Sequence, residues 1–140
     1  MHPNQEVVRR EAAAWDAGDA EAVVALYTPE AVIHSPGNNP LSGEYGGYDG
    51  VREYHRKLTQ LLGALDELDG REHDVVANDE HVVRLLQIVA RKGDREVEWR
   101  HVAVYHVRDG KLDRVWNHMD PQREVDAFVT HVASTLARNP

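Results

Sequence analysis

A few ionisable side chains in this chain have the types that proton-transfer chemistry needs. Asp120 ends the run KLDRVWNHMD, and His118 stands two residues before it. A carboxylate can take a proton from a carbon next to a carbonyl when burial raises its proton affinity and its acceptor is held within hydrogen-bond reach. A histidine beside it titrates near neutrality and can shuttle the proton or orient the carboxylate. His101 lies upstream in REVEWRHVAVYHV, and His34 ends AVIH before Ser35-Pro36. A structural role competes for Asp120, because Asp-Pro-Gln-Arg also has the form of a helix N-cap with proline at the first helical position. A capping carboxylate accepts backbone N–H bonds, which favour its charged form and make it a poorer base. Nine histidines in 140 residues cluster partly by chance, so their convergence on an aspartate is what would carry weight. His101, His118 and Asp120, with His34, also have the composition of a two-histidine, one-carboxylate metal set. No compact ligand motif such as HExxH accompanies them.

The elements that must position these groups are the two arms of one long hairpin, residues 95 to 120. Asp109-Gly110 between two β-rich runs is a strong hairpin signal. Strand side chains alternate between faces. On the first arm Val97, Trp99, His101, Ala103 and Tyr105 share a face; on the second Leu112, Arg114, Trp116, His118 and Asp120 do. Trp99, Tyr105 and Trp116 then form the apolar wall of a pocket that also holds His101, His118 and Asp120. The opposite face carries Val102, Val104 and His106 with Val115, Asn117 and Met119, and is largely aliphatic towards the hairpin end. A sheet apolar on both faces is usually covered on both. A pocket on one side and a partner surface on the other are therefore expected. A single β-bulge would shift the phase by one residue and exchange the faces.

The rest of the chain supplies covering elements. Residues 5 to 17 predict a helix with Val8, Ala12 and Trp15 on one stripe. Asp19 caps a second, running to about Tyr27. Residues 31 to 35 predict a short strand that ends in His34. Residues 36 to 50, rich in glycine, proline and asparagine, form an irregular stretch, expected to rim the pocket with Tyr45 and Tyr48. Asp49 caps a third helix, to about Glu67, with Val51, Tyr54, Leu58, Leu61, Leu62 and Leu65 on its apolar stripe. Residues 71 to 78 and 81 to 91 are strands, the second apolar on consecutive positions and expected to be buried on both faces. A final amphipathic helix follows Pro121. Helices segregated from hairpin-linked strands make the class α+β, in a single domain spanning residues 1–140.

Composition narrows function. A net charge of −8 with no basic block disfavours nucleic-acid binding, which needs clustered Lys and Arg. The absence of cysteine excludes disulfides and thiolate chemistry and agrees with a cytoplasmic location. No run has the length and apolarity of a membrane span or signal core.

Three pieces of sequence carry a family resemblance: Trp15-Asp16-Ala17-Gly18-Asp19, the stretch from Tyr27 to Pro36 ending in His-x-Pro, and Asp109-Gly110-Lys111-Leu112 followed by Trp116 and Asp120. With the order of elements they resemble the nuclear-transport-factor-2-like superfamily, and within it the SnoaL-like polyketide-cyclase branch related to ketosteroid isomerase. The resemblance implies a curved antiparallel sheet forming a cone-like half-barrel closed by N-terminal helices, with a C-terminal helix, a pocket at its mouth and often a homodimer through the sheet. It implies cofactor-free chemistry with no metal and Asp120 at the position of a general base; on the residue pattern, His34 or His118 would assist it. Tyr48, Tyr54 or a histidine would hold the developing enolate, and Trp99, His101, Tyr105 and Trp116 would contact a small hydrophobic carbonyl compound. The superfamily hosts many functions. A non-catalytic ligand-binding or dimerisation module and a carboxylate-assisted hydrolase stand as alternatives to an isomerase, cyclase or lyase.

Overall fold

The structure, a computed structural model, describes residues 1–138. Helix α1 (Pro3–Asp16) opens with proline in its first turn and the His2 side chain accepting the Asn4 N–H at 3.0 Å. Asp19 caps the short α2 (Ala20–Val24) through the Ala22 N–H, as its position predicts. Strand β1 (Tyr27–Ser35) begins before Pro29, earlier than expected, and β2 (Gly43–Gly46) adds a strand inside the stretch read as irregular. Helix α3 (Gly47–Gly63) is preceded by Gly46 with no side-chain cap; Asp49 lies in its first turn and pairs with Arg52 at 3.0 Å. Strands β3 (Glu67–Ala77), β4 (His81–Lys92), β5 (Arg95–Arg108) and β6 (Lys111–Asp120) precede α4 (Gln122–Arg138).

The strands form one curved, unclosed sheet in the order β2-β1-β6-β5-β4-β3. The β1–β6 ladder is parallel and the other pairings are antiparallel. The α+β class and the helix-covered half-barrel are therefore as the sequence implies. The core lies between the concave face and the helices, where Val7, Val8, Val23, Ile33, Val51, Val82 and Leu112 are buried. Trp15 stacks on His55 at 4.3 Å and meets Tyr54 edge-on, joining α1 to α3. Strand β4 is buried at Val82 and Ala90, but Val83, Leu85 and Val89 on its outer side are only half-buried, so it is not covered on both faces.

The hairpin turns at Asp109-Gly110, both with positive φ (52° and 75°), the geometry a two-residue hairpin loop with right-handed strand twist requires. Two pairs beyond the turn the ladder slips. Val107 pairs with Leu112, but His106 pairs with Arg114, leaving Asp113 as the extra residue of a β-bulge. The bulge lets Leu112 and Val115, three apart, both bury on the concave side. It also inverts everything after it. Val115, Asn117 and Met119 pair with Tyr105, Ala103 and His101 on the concave face, whereas Trp116, His118 and Asp120 pair with Val104, Val102 and Arg100 on the convex face. The expected face assignment of β6 holds only as far as Leu112.

Asp113 anchors the slip. Its carboxylate accepts from the Thr28 hydroxyl at 2.8 Å and meets His106 Nδ1 at 3.3 Å and the Arg108 guanidinium at 3.4 Å. Burial pushes its carboxyl up, but the Thr28 hydrogen bond and the Arg108 and His106 contacts outweigh this and hold it below the usual carboxylate range. A lowered folded-state value means the stabilisation is present above the unfolded-state pKa and is lost as pH falls through the folded one. Asp113→Ala is expected to cost about 1–2 kcal/mol in urea unfolding at neutral pH. The gap to the unmodified protein should narrow in acid below the ordinary value of 3.8.

Candidate functional site

The concave face and the helices enclose two adjoining chambers. One, of about 230 Å³, lies between α3 and α4. Leu58, Leu61 and Leu65 wall it from α3, Ile88, Trp99 and Met119 from the sheet, and Phe128 and Val132 from α4; among the described residues no charged side chain lines it. The other, of about 450 Å³, lies under α1 and is bordered by Glu11, Tyr27, Arg84, Tyr105 and Asn117. Tyr54, Leu58, Leu62, Ile88 and His101 border both.

Glu11 is the central group of the polar chamber. It sits on the inner stripe of α1, only 4% exposed, and accepts a short hydrogen bond from the Tyr27 hydroxyl. Burial pushes its carboxyl up to about 7, against the lowering effects of that bond and of the positive Arg84. The phenols of Tyr27, Tyr54 and Tyr105 are all driven above the ordinary tyrosine range, chiefly by burial, so they remain neutral donors. Arg84 donates to Glu72 at 2.8 Å, and its positive charge lies close to the Tyr105 phenol. A guanidinium has only donors. The Tyr105 phenol borders the chamber, and beside a group that can only donate, its oxygen is placed to accept while its O–H is directed to other acceptors. A carboxyl poised near neutrality beside a phenol donor, in a largely apolar cavity, can move a proton on a carbonyl compound.

His101 joins the chambers through a defined network. Trp99 Nε1 donates to His101 Nδ1 at 3.2 Å. An indole nitrogen can only donate, so His101 carries its proton on Nε2, which lies 3.0 Å from Asn117 Oδ1. The Asn117 amide in turn donates to the His34 carbonyl at 3.3 Å. Burial, against the Asn117 bond and with Arg84 and His118 assisting, pushes His101 below the ordinary histidine range. It is thus a neutral imidazole with both nitrogens engaged, suited to holding the cavity wall rather than accepting a proton.

Of the residues singled out from the sequence, Trp99, His101, Tyr105 and Tyr54 line the chambers. The others lie elsewhere. Asp120 is on the convex face, its side chain 70% exposed and paired with Arg100 at 3.1 Å; that carboxylate is directed neither into the cavity nor at the first-turn amides of α4. His118 is exposed on the same face. His34 stacks on Trp116 at 5.8 Å and pairs with Glu44 at 3.1 Å, both rings on the convex side. Tyr48 is exposed at the start of α3 and borders neither chamber. Tyr45, expected at the rim, turns into the core, where its hydroxyl donates to the Leu41 carbonyl at 2.7 Å. The sheet itself separates His101 from His34, His118 and Asp120, so they do not form one metal set.

Sequence reading passed over Glu11, Tyr27, Arg84 and Asn117. Two of these left a signal. Glu11 falls on the stripe of Val7, Val8 and Trp15, and Arg84 interrupts the apolar run HVVRLLQIVA. A charged residue at a core position is rarely tolerated without a partner or a function.

The raised Glu11 value has a stability consequence. Between the ordinary 4.5 and about 7 the folded protein holds a proton that the unfolded chain has released, so stability falls as pH rises through that window. Relative to the unmodified protein, Glu11→Gln should gain roughly 3 kcal/mol of stability between pH 5 and pH 8. Urea unfolding of both proteins at the two pH values checks this.

Among curated proteins none matches the chain in sequence. In solved structures the fold recurs in a nuclear-transport-factor-2-like protein of unknown function from Burkholderia pseudomallei, with 20% identity and a TM-score of 0.77, covering 93% of this chain and 99% of that one. It recurs in TerC co-crystallised with polyporic acid, with 19% identity and a TM-score of 0.74 over 93% of this chain and 99% of that one. A Catenulispora acidiphila protein with a ketosteroid isomerase-like fold, in complex with trimethylamine, matches with 12% identity and a TM-score of 0.62 over 81% and 84% of the two chains. These likenesses establish the fold. The model of the SnoaL-like domain matches residues 8–115, most of the chain, and the protein belongs to that family.

Proposed function

We propose that this protein is a small-molecule enzyme of the isomerase, cyclase or lyase type, acting on a hydrophobic carbonyl compound, with Glu11 as its base. The observation that carries the reading is a buried carboxyl held near pH 7 and bordering a cavity that is otherwise mainly apolar. The Glu11 carboxylate removes a proton from the carbon next to the carbonyl. The C–H electron pair moves into the carbonyl, and Tyr105 donates a hydrogen bond to the resulting enolate oxygen. Glu11, now protonated, returns the proton at another carbon, or the enolate carbon adds to a second carbonyl carbon of the substrate, whose C=O π pair moves onto oxygen and takes the proton from Glu11. The protein's own groups supply acid, base and oxyanion donor, so the chemistry asks for no cofactor.

A ligand-binding module without turnover rests on the same cavity, and its specific support is the uncharged lining of the chamber between α3 and α4. Proton exchange separates the two readings. Incubation with β,γ-unsaturated ketones and cyclic diketones in D₂O, followed by NMR, should show deuterium entering next to the carbonyl. Glu11→Gln should slow this by about 10²-fold or more, and Tyr105→Phe by about tenfold. The base is the ionised form, so kcat/KM should rise through pH values near 7 and level off above. Exchange that is unchanged in Glu11→Gln would remove Glu11 as the base.

We further propose that a second copy covers the convex face. Val83, Val104 and Trp116 form one cross-strand row there, beside Leu85 and Val102, all half-buried rather than buried. Light scattering at micromolar concentration should give about twice the chain mass, and Val104→Glu, which places a charge in the apolar row, should halve it. A monomeric unmodified protein rejects this arrangement.

A further inference from the structure

Access to the cavity is set by how the helices divide the sheet. Helix α3 rests on β1 and β2, α1 on β3 and β4, and α4 on β5 and β6. Among the described residues no helix packs mainly on the span between the C-terminal half of α3 and the edge strand β3. Two leucines flank that span. Leu62 of α3 borders both chambers and is 39% exposed, and Leu68 of β3 borders the apolar one and is 49% exposed. Exposed large apolar side chains are ordinary singly and become informative when they lie together around an opening.

The α4 side is tied down instead. Asp126 accepts from the Asn38 N–H at 3.0 Å, from the Asn39 amide at 2.7 Å and from Gln122 at 2.9 Å. The bonds to Asn38 and Asn39 fasten the loop before β2 onto α4. A Cβ at Gly37 would lie 2.2 Å from the Asp126 carboxylate, so a side chain there would have to displace these bonds.

Gly70 lies in this span. It pairs with Ile88, whose side chain borders both chambers, so position 70 faces the concave side. It borders the polar chamber itself. A Cβ built on it meets no atom within 4 Å, and its φ lies outside the left-handed region. The backbone thus does not require glycine here, and a side chain would stand free in the opening. We infer that ligands enter through the slot between α3 and β3, and that the missing side chain at residue 70 is a specificity determinant that admits broad, uncharged, apolar molecules. The inference rests on the cavity and not on the chemistry of Glu11.

The test uses the full chain and two uncharged fluorescent probes, the polycyclic dye Nile red and the smaller naphthol. Affinity is read from fluorescence titration and access from stopped-flow association rates. Gly70→Leu and Gly70→Trp should weaken and slow Nile red binding in that order, the tryptophan by about tenfold or more in affinity, with naphthol much less affected. Asp69→Leu puts the same bulk on the neighbouring position, which faces the other side of the strand, and should leave both probes unchanged. Leu68→Trp narrows the slot from an exposed position and should slow Nile red even if Gly70→Trp fails to fold by circular dichroism. Unaltered Nile red binding in the folded Gly70→Trp or Leu68→Trp protein, an equal loss in Asp69→Leu, or no probe binding by the unmodified chain would each overturn the inference. A protein that gates the dye as expected but exchanges no substrate proton would retain this slot and lose the proposed catalytic function.

Discussion

Asp113 adds one residue to the last strand, and the orientation of seven residues after it depends on that addition. A strand has a side-chain period of two, so one extra residue exchanges the faces of everything downstream. Here the exchange brings Asn117 and Met119 to the cavity and sends Trp116, His118 and Asp120 to the convex face. The carboxylate is held from three sides by Thr28, His106 and Arg108, which ties the bulge to β1 as well as to the hairpin. The parallel β1–β6 ladder slips at the same place, between Tyr27 and Val32. The irregularity is thus shared by three strands.

The inverted face matters because it completes the polar end of the cavity. Asn117 meets His101 only by being on the concave side, and with Trp99 it fixes the protonation state of that imidazole. With His101 committed, the titratable group left at the heart of the site is Glu11. Burying a carboxyl without a full counter-charge is costly. The chain moderates this cost through Tyr27 and the nearby Arg84, yet leaves the proton affinity raised to about 7. A site optimised only for stability would hold an apolar residue on that stripe. An ionisable group there is the feature on which the proposed proton transfer rests.

Fold and activity stand on different ground in this protein. The half-barrel and the SnoaL-like domain follow from strand order, helix placement and the family match. Related folds accommodate molecules as different as polyporic acid and trimethylamine, so the fold alone does not name a substrate. The features of this chain that bear on a ligand are local: an uncharged chamber against α4, a charged one under α1, and Gly70 with open space beside it at the edge.

Local periodicity was enough to place the helices, the long strands, the Asp109-Gly110 turn and the aromatic inner face of β5, because these depend on neighbours a few residues apart. The resemblance carried by Trp15 to Asp19 and by the last hairpin extended this to the sheet architecture. Strand β2 was hidden by glycine and proline composition, since its four residues form only because β1 offers them a partner. The identity of the site residues was decided by tertiary structure alone. Asp120 and Glu11 are both carboxylates with plausible neighbours in the sequence. One bulge puts the first against Arg100 in solvent, and the packing of α1 over the sheet puts the second, 4% exposed, beside Tyr27. Sequence supplies the carboxyl group, but its proton affinity comes from burial and from partners distant in the chain.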